Sequence, residues 1–449
     1  MKRKRGKVAD DSIRTFHYNT RSSSSRNESR ATSDTDRVET SNAIVESTSA
    51  SLRVTKQRKK ISDDRRTISD LVPIDVIMEI LKRLPVKTLA RFLCVSKLWA
   101  CTIRRRDFMK LFLTESSNRP DRLFITFQRE DNRQDGFFYS SHLTRNQGEA
   151  SVATYQMKHL SYKLTTESPS VHGLFCYRTI CGFGLAVYNS STRRCITLPQ
   201  FEHQSYIIQH LLGYDPIDGV YKVLCLTKPR SFFHTAEREP VFQVLTLGNE
   251  KSSWKVIENS HPHLPFKSQI CIDGVVYYEA KVGTERKEVA VMSFDVRSEK
   301  FHVIKRPALS IISRTMIRYE GKLAIVGGLI PVNGSVDLWV LEDAVKHEWL
   351  RKTFVLPHLW TNLQDTRTSL PGLHRFIDVT DAGEFLLAPI LLWVPLPPYY
   401  VLYYDPKRNS MRKVETEGIT EHKLLRYKKG YNRYLFHVFS SQVESLMFL

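Results

Sequence analysis

The sequence has few cysteines, and they form no pattern. Its 449 residues hold seven, Cys94, Cys101, Cys176, Cys181, Cys195, Cys225 and Cys271, with no C-x-x-C pair and none in the last 178 residues. An odd, scattered set excludes a disulfide framework and a cysteine-rich zinc site, because both cluster their ligands. The thiols read as reduced, mostly small apolar core groups of an intracellular protein, in nucleus or cytoplasm. No apolar segment follows Met1-Lys2-Arg3-Lys4-Arg5, so no secretory signal is expected there. One stretch, Phe385 to Tyr404, is as apolar and as long as a membrane span. It carries Pro389, Pro395, Pro397 and Pro398. At roughly 3 kcal/mol per interior proline, a spanning helix is excluded. Two buried strands joined by a proline-rich turn are expected instead, with no membrane contact.

Chemistry-bearing motifs are also missing. There is no G-x-x-x-x-G-K-[ST] loop, no H-E-x-x-H pair and no G-x-S-x-G elbow. Gly182-Phe183-Gly184 lacks the third glycine and the following helix that a dinucleotide phosphate requires. His261-Pro262-His263 has no neighbouring Cys or carboxylate to complete a metal site, and reads as a loop or structural feature. No catalytic residue, cofactor or metal is therefore expected, and the chain does not read as an enzyme.

What is abundant is positive charge, and it is unevenly placed. The formal net charge is +20. Residues 1–66 carry +8 of it, and the other 383 share +12. The folded part is thus only modestly basic and shows no zinc-finger spacing or RNA-binding signature, so nucleic acid is not an expected partner of it. Residues 1–66 are rich in Ser, Thr, Arg and Asp and poor in large apolar side chains, a composition that favours disorder. Their two basic runs, Lys2 to Arg5 and Lys56 to Lys60, fit a solvated tail and a nuclear-import signal equally well.

Residues 67–113 are different. Val76, Ile77, Ile80, Leu81 and Leu84 recur at helical spacing, and Pro73 suits the first turn of such a helix. Pro85 ends it. A second short helix is expected through Leu89, Phe92 and Leu93, and a third through Leu98, Trp99 and Ile103. Three helices in so short a segment bury little surface, which points to a module completed by a partner.

From about residue 120 the texture is β. Runs such as Leu123 to Phe127 and Tyr221 to Leu226 are β-branched or aromatic, separated by turn residues and by no long amphipathic helix. A concealed repeat runs through them. One half is a Gly turn before an apolar strand, at Gly173, Gly274, Gly321 and Gly383. The other is an apolar anchor, at Tyr188, Phe294, Leu341 and Tyr404, with Leu247 marking a further copy that begins at Gly219. Seven or eight residues later stands Cys195, Trp254, Phe301, Trp349 or Met411. A period near 50 residues with several strands per unit describes a β-propeller, and a β-sandwich is the competing fold. A sixth unit would combine residues 122–140 with strands near Tyr434 to Phe439 and close the ring. Phe294, Tyr404, Phe301 and Trp254 are expected to be buried between blades. The insert Ser231 to Glu239 breaks the spacing, as either a binding loop or an idle one.

The helical segment resembles an F-box. Val72-Pro73-Ile74-Asp75-Val76, Glu79-Ile80-Leu81, Arg83-Leu84-Pro85-Val86-Lys87-Thr88-Leu89, Cys94-Val95-Ser96-Lys97-Leu98-Trp99 and Phe108 carry the likeness in the family's order and spacing. Val72 stands where the family usually has Leu or Ile, and Arg104-Arg105-Arg106 is more basic than usual. The resemblance implies docking to a Skp-type adaptor, and through it to cullin and RING subunits. The matching contact candidates are Val72, Pro73, Ile80, Leu81, Leu84, Pro85, Val95 and Trp99. For Ile80, Leu81 and Val95, a place in the module's own core is an equal alternative.

From about Arg122 the chain is similar to the F-box-associated domain of large plant F-box families. His172-Gly173-Leu174-Phe175-Cys176, Val187-Tyr188-Asn189-Ser190-Ser191-Thr192, Leu212-Gly213-Tyr214-Asp215-Pro216, Tyr221-Lys222-Val223-Leu224 and Trp254 carry this likeness. It implies architecture and names no target. The expected organisation is a tail over 1–66, an F-box over 67–113 and a six-bladed, propeller-like, all-β domain over 114–449. Together the resemblances imply a non-catalytic substrate-recognition subunit of a Skp–cullin–F-box ubiquitin ligase, whose β domain binds a target protein. The alternative they leave is an adaptor-binding nuclear or chromatin protein that acts outside a ligase through its basic tail.

Overall fold

The computed structural model describes residues 72–447, apart from 120–121, 130–135, 143–150, 160–161, 164–169, 180–183, 202–204, 229–239, 249–251, 259–261, 284, 308–313, 328–333, 358–373, 394–398, 420–432 and 441. The basic tail, the Ser231 to Glu239 insert, Cys181 and His261 lie outside the described residues.

Prolines and one serine set the helix starts. Pro73 precedes α1 (Ile74–Leu81) and Pro85 precedes α2 (Val86–Phe92), each in extended backbone where the missing N–H has no helical partner to lose. Ser96 caps α3 (Lys97–Arg104), its Oγ accepting the Trp99 N–H at 3.1 Å. A fourth helix, α4 (Arg106–Ser117), follows, which the three-helix reading did not contain. The break between α3 and α4 is Arg105, in extended backbone at φ −69° and ψ 140°. The arginine run thus separates two helices. Phe108, Phe112 and Leu113 then turn inward on one face of α4.

The β region forms six blades of antiparallel strands. Three consist of consecutive strands, spanning 206–256, 263–304 and 314–355 in the third to fifth blades. The sixth spans 374–417, and the short strand Leu391–Trp393 within that range pairs outside it. In the second blade, Tyr162–Lys163 and Ser170–Val171 both pair with Leu174–Thr179, and Leu185–Asn189 and Arg194–Thr197 complete it. The first blade is composite. Arg122–Arg129, Gly136–His142 and Ser151–His159 take a fourth strand, Arg433–Phe439, from the far end of the chain, pairing Phe124 with Phe439 and Arg129 with Tyr434. The sixth and first blades also join at their outer edges through the parallel pairs Thr416–Ser151 and Glu417–Val152.

Ring closure is visible in the core. Six hydrophobic clusters lie one at each blade junction: Phe124 and Phe138 with Phe175 and Tyr188, Leu174 and Val187 with Leu212 and Val223, Leu224 and Phe242 with Tyr278 and Phe294. The circuit continues through Ile272 and Val291 with Ile325 and Leu341, Val326 and Leu338 with Phe376 and Leu387, and Tyr399 and Val401 with Ile125 and Phe127. A sandwich has one core layer between two sheets. Six cores joining the last blade to the first require a propeller.

The repeat residues have physical roles. Tyr188, Phe294, Leu341 and Tyr404 stand on third strands directly opposite Cys195, Phe301, Trp349 and Met411 on fourth strands. The turns between them are fixed by a side-chain carboxylate or amide oxygen. Asn189, Asp343 and Asp405 each accept backbone N–H groups two and three residues on, at 2.8–3.3 Å, and Asp295 accepts that of Ser298 at 2.6 Å. Phe294 and Tyr404 are buried as expected. Trp254 and Phe301 are only half-buried, which corrects the expectation for both. Phe301 lies on the outermost strand of its blade and Trp254 immediately precedes the outermost strand of its own, where one side meets solvent. Phe385–Pro389 and Tyr399–Asp405 are buried strands, and Leu391–Trp393 between them pairs with Arg433–Phe439. No helix among the described residues is long and apolar enough to cross a membrane.

Candidate docking surface

The α1 stripe is apolar on two sides. Ile77 and Leu81 point into the helical core, with Val86, Leu89, Ile103, Phe108 and Phe112. Val76 and Ile80, one residue before each, point outward and are 46% and 56% exposed. Beyond α2, Val95 is 61% exposed and Leu98 on α3 is 38% exposed. Pro73 and Pro85 are also exposed at the two corners of α1. Single exposed apolar residues are ordinary on a soluble protein. Here four aliphatics and two prolines project from 26 consecutive residues, 73–98, around a core that is already filled.

The eight candidate contacts therefore divide. Val72, Leu81, Leu84 and Trp99 gather in or against the helical core. Leu81 is 1% exposed, so its role is to hold α1 in place. Trp99 is half-buried and meets Phe92 edge-on, with ring centroids 4.6 Å apart. Pro73, Ile80, Pro85 and Val95 stand outside that core. Val76 and Leu98 belong with them and were not among the candidates. Their signal is in the sequence: Val76 and Ile80 lie at i, i+4, offset by one from the Ile77–Leu81 pair, so one helix carries two apolar stripes.

The surface around these residues is basic. Residues 72–119 contain ten Lys or Arg against four Asp or Glu. Glu79 is engaged by Lys82 at 2.9 Å, and Asp107 by Arg105 at 2.5 Å. Lys87, Arg91, Lys97 and Arg104 are exposed. An apolar face with a basic rim suits a partner whose own apolar patch is bordered by acids.

The propeller's buried polar groups serve structure. His263 and the Tyr278 hydroxyl are hydrogen-bonded at 2.7 Å, which extends the structural reading of that histidine, and His374 and the Tyr400 hydroxyl at 2.9 Å. His210 Nε2 donates to the Cys176 carbonyl at 3.2 Å. Burial holds His374 down to about 4 and His210 to about 3, so both rings are neutral near pH 7. Among the described residues, no three His, Cys, Asp or Glu side chains lie together in a metal-binding group.

Comparison with known proteins agrees with this geometry. A family model described as an F-box domain matches residues 70–111, and one described as an F-box associated beta propeller domain matches 122–443. Three Arabidopsis thaliana proteins with F-box protein in their names are similar over most of their length. One is 42% identical, covering 85% of this chain and 88% of its own. A second is 41% identical over 84% and 94%. A third is 41% identical over 98% of both. A chain from the crystal structure of a nidogen/laminin complex superposes with a TM-score of 0.39 at 10% identity, covering 71% of this chain and 98% of that one. The blade count rests on the strand pairing described above. With matching models over both the helical module and the ring, the chain belongs to the F-box-associated β-propeller family and carries an F-box ahead of its propeller.

Proposed function

We propose that this protein is a non-catalytic substrate-recognition subunit of a Skp–cullin–F-box ubiquitin ligase, acting inside the cell. The F-box docks on the Skp-type adaptor through Pro73, Val76, Ile80, Pro85, Val95 and Leu98, and the propeller holds the target protein. The observation that carries this reading is the exposed double stripe of α1, with Val76 and Ile80 outside while Ile77 and Leu81 fill the core. Aliphatic side chains left outside a completed core are the material of an interface centre. The propeller supplies rigid blades whose connecting loops vary freely, which suits recognition of a protein.

The test is capture of a purified Skp-type adaptor by the full chain and two variants. Ile80→Asp places a charge at the centre of the proposed interface. It should weaken capture by at least about tenfold and leave thermal stability unchanged. Leu81→Ala removes a core side chain. It should lower the stability of the helical module by about 2–5 kcal/mol. Undiminished adaptor capture by Ile80→Asp would end the docking reading. Proteins that accumulate on the Ile80→Asp variant in cells, and carry ubiquitin only with the wild-type chain, are the expected targets.

A further inference from the structure

The F-box core contains one residue that its own helices do not supply. Leu446, 1% exposed, packs with Ile77, Leu81, Leu89, Phe108 and Phe112, although it is more than 300 positions away in sequence. It arrives on the segment Gln442–Met447, which follows the ring-closing strand Arg433–Phe439. That segment is held at each step. The Gln442 N–H donates to the Arg122 carbonyl at 3.2 Å. The Val443 carbonyl lies so near Gly173 that a Cβ there would sit 2.3 Å from its oxygen. The Glu444 N–H donates to Ser116 Oγ on α4 at 2.8 Å. Asn189, whose Oδ1 already fixes its own turn, donates from Nδ2 to the carbonyls of Ser445 and Met447 at 3.1 and 2.7 Å. The segment thus runs along the turns of the second blade and lends Leu446 to the helical module, while Met447 returns to the second blade.

Its one carboxylate reaches the docking corner. Glu444 is buried and bridges Arg119 at 2.6 Å and Arg122 at 2.8 Å. Arg119 also donates to the carbonyls of Lys82 and Leu84, at 2.7 and 3.3 Å, with its guanidinium 5.2 Å from the centre of the Phe112 ring. Those carbonyls belong to the turn that ends α1 and leads into Pro85, where helical partners run out. A planar guanidinium can serve a carboxylate on one side and two carbonyls on another. Without Glu444, Arg119 and Arg122 would face each other as like charges in a half-buried site.

We propose that residues Gln442–Met447 are a structural part of the F-box, and that Glu444, through Arg119, is a positioning residue for the Leu84–Pro85 corner. The same segment fixes the F-box to the turns of the second blade, and so sets the orientation between the docking face and the ring. The role in docking rests on the adaptor reading above. The role in completing the F-box stands on the packing alone.

The test uses the full chain and two readouts, amide hydrogen exchange and affinity for a purified Skp-type adaptor. Glu444→Gln and Leu446→Ala should speed exchange across α1 to α4 by about tenfold or more, with the fourth and fifth blades unchanged. Both should weaken adaptor binding by about threefold or more. Arg119→Lys keeps the charge and loses the fork. It should change exchange only near residues 82–88 and still weaken the adaptor, a split that general loss of structure would not give. Glu299→Gln, on a carboxylate that pairs Lys222 and Lys255 in the propeller, is the control and should change neither readout. If Leu446→Ala does not fold, Glu444→Gln decides, because it leaves the core intact. Wild-type exchange of the F-box amides in Glu444→Gln would overturn the proposal. A wild-type chain that binds no adaptor would overturn the docking reading instead, and exchange would still judge the segment.

Discussion

Trp349 donates its indole N–H to the carbonyl of Lys305, 2.8 Å away, and so ties the outer strand of the fifth blade to the end of the fourth. Trp254 makes the equivalent bond to Pro199, 2.8 Å away, between the third blade and the second. Each ring lies on the outside of its blade, with its polar edge turned toward the neighbour. These bonds add to the junctions without being part of their cores. Trp349→Phe should therefore lower stability by about 1 kcal/mol, near the usual net value of one such bond. In a domain of this size that is a drop of about 1–3 °C in Tm. Thermal unfolding read by near-ultraviolet circular dichroism checks it, and a Tm equal to wild type would show that the bond contributes nothing.

Phe294 and Phe301 face each other across one hairpin and should respond differently to truncation. Phe294 is 1% exposed in the junction of the third and fourth blades, and Phe301 is half-buried beside it, with ring centroids 4.9 Å apart. Phe294→Ala leaves a cavity that its surroundings cannot close, and should cost about 3–5 kcal/mol. Phe301→Ala removes less buried area and opens toward solvent, so it should cost roughly half as much. Urea unfolding of both variants gives the comparison. Equal losses would mean that the outer strand is packed more tightly than its exposure indicates.

That pair also shows how much of the fold was legible in the sequence. The separations between repeat residues report strand pairing directly, because Tyr188 and Cys195, Phe294 and Phe301, and Tyr404 and Met411 are cross-strand neighbours. The pairing of residues near 122–140 with those near 434–439 was legible for the same reason, as strands lacking partners in their own neighbourhoods. Depth of burial was not. Spacing places Phe301 on the fourth strand and Trp254 at the start of one, and cannot state that this strand is the blade's edge. In the docking surface, Ile80 and Leu81 were indistinguishable as adjacent aliphatics, since the side each faces depends on where α4 and Leu446 pack. The fourth helix was hidden by Arg104-Arg105-Arg106, and Leu446 by its distance along the chain.

Gly173 and Gly321 occupy the same turn in two blades, and comparing them separates backbone strain from contact with the Gln442–Met447 segment. Both have positive φ, +75° and +80°, and follow residues that also do, His172 at 46° and Glu320 at 50°. Such two-residue turns follow the twist of the strands they join. An alanine at either position takes on about 1–2 kcal/mol of left-handed strain. Around Gly321 nothing lies within 4 Å of the added methyl, whereas at Gly173 the methyl meets the Val443 carbonyl. Gly321→Ala should show the strain alone. Gly173→Ala should lose more and should speed amide exchange in the F-box, because the displaced segment carries Leu446. Equal Tm losses with an undisturbed F-box would mean that the segment yields freely at Val443.

Acid should weaken the ring through its neutral histidines. His374 is fully buried, and burial pulls it down to about 4, while His210 is pulled to about 3. In the unfolded chain both return to roughly 6.5. Between those values the unfolded state binds more protons than the folded one, so stability rises with pH across the interval. The contribution is complete above about pH 6.5. It is lost as pH falls, down to about 4 for His374 and lower for His210. A depression of His374 from 6.5 to about 4 corresponds to about 3 kcal/mol. Most exposed carboxylates titrate below this window, so the histidines dominate its upper part. His374→Gln retains a side chain able to hydrogen-bond the Tyr400 hydroxyl and cannot take up a proton. It should be less stable than wild type at pH 7.5, through imperfect packing, and should lose less stability on going to pH 5. The measurement is Tm at half-unit steps from pH 7.5 to 5. The two curves should converge toward acid. Parallel curves would mean that His374 takes up its proton in the folded ring at the same pH as in the unfolded chain, against the burial that surrounds it.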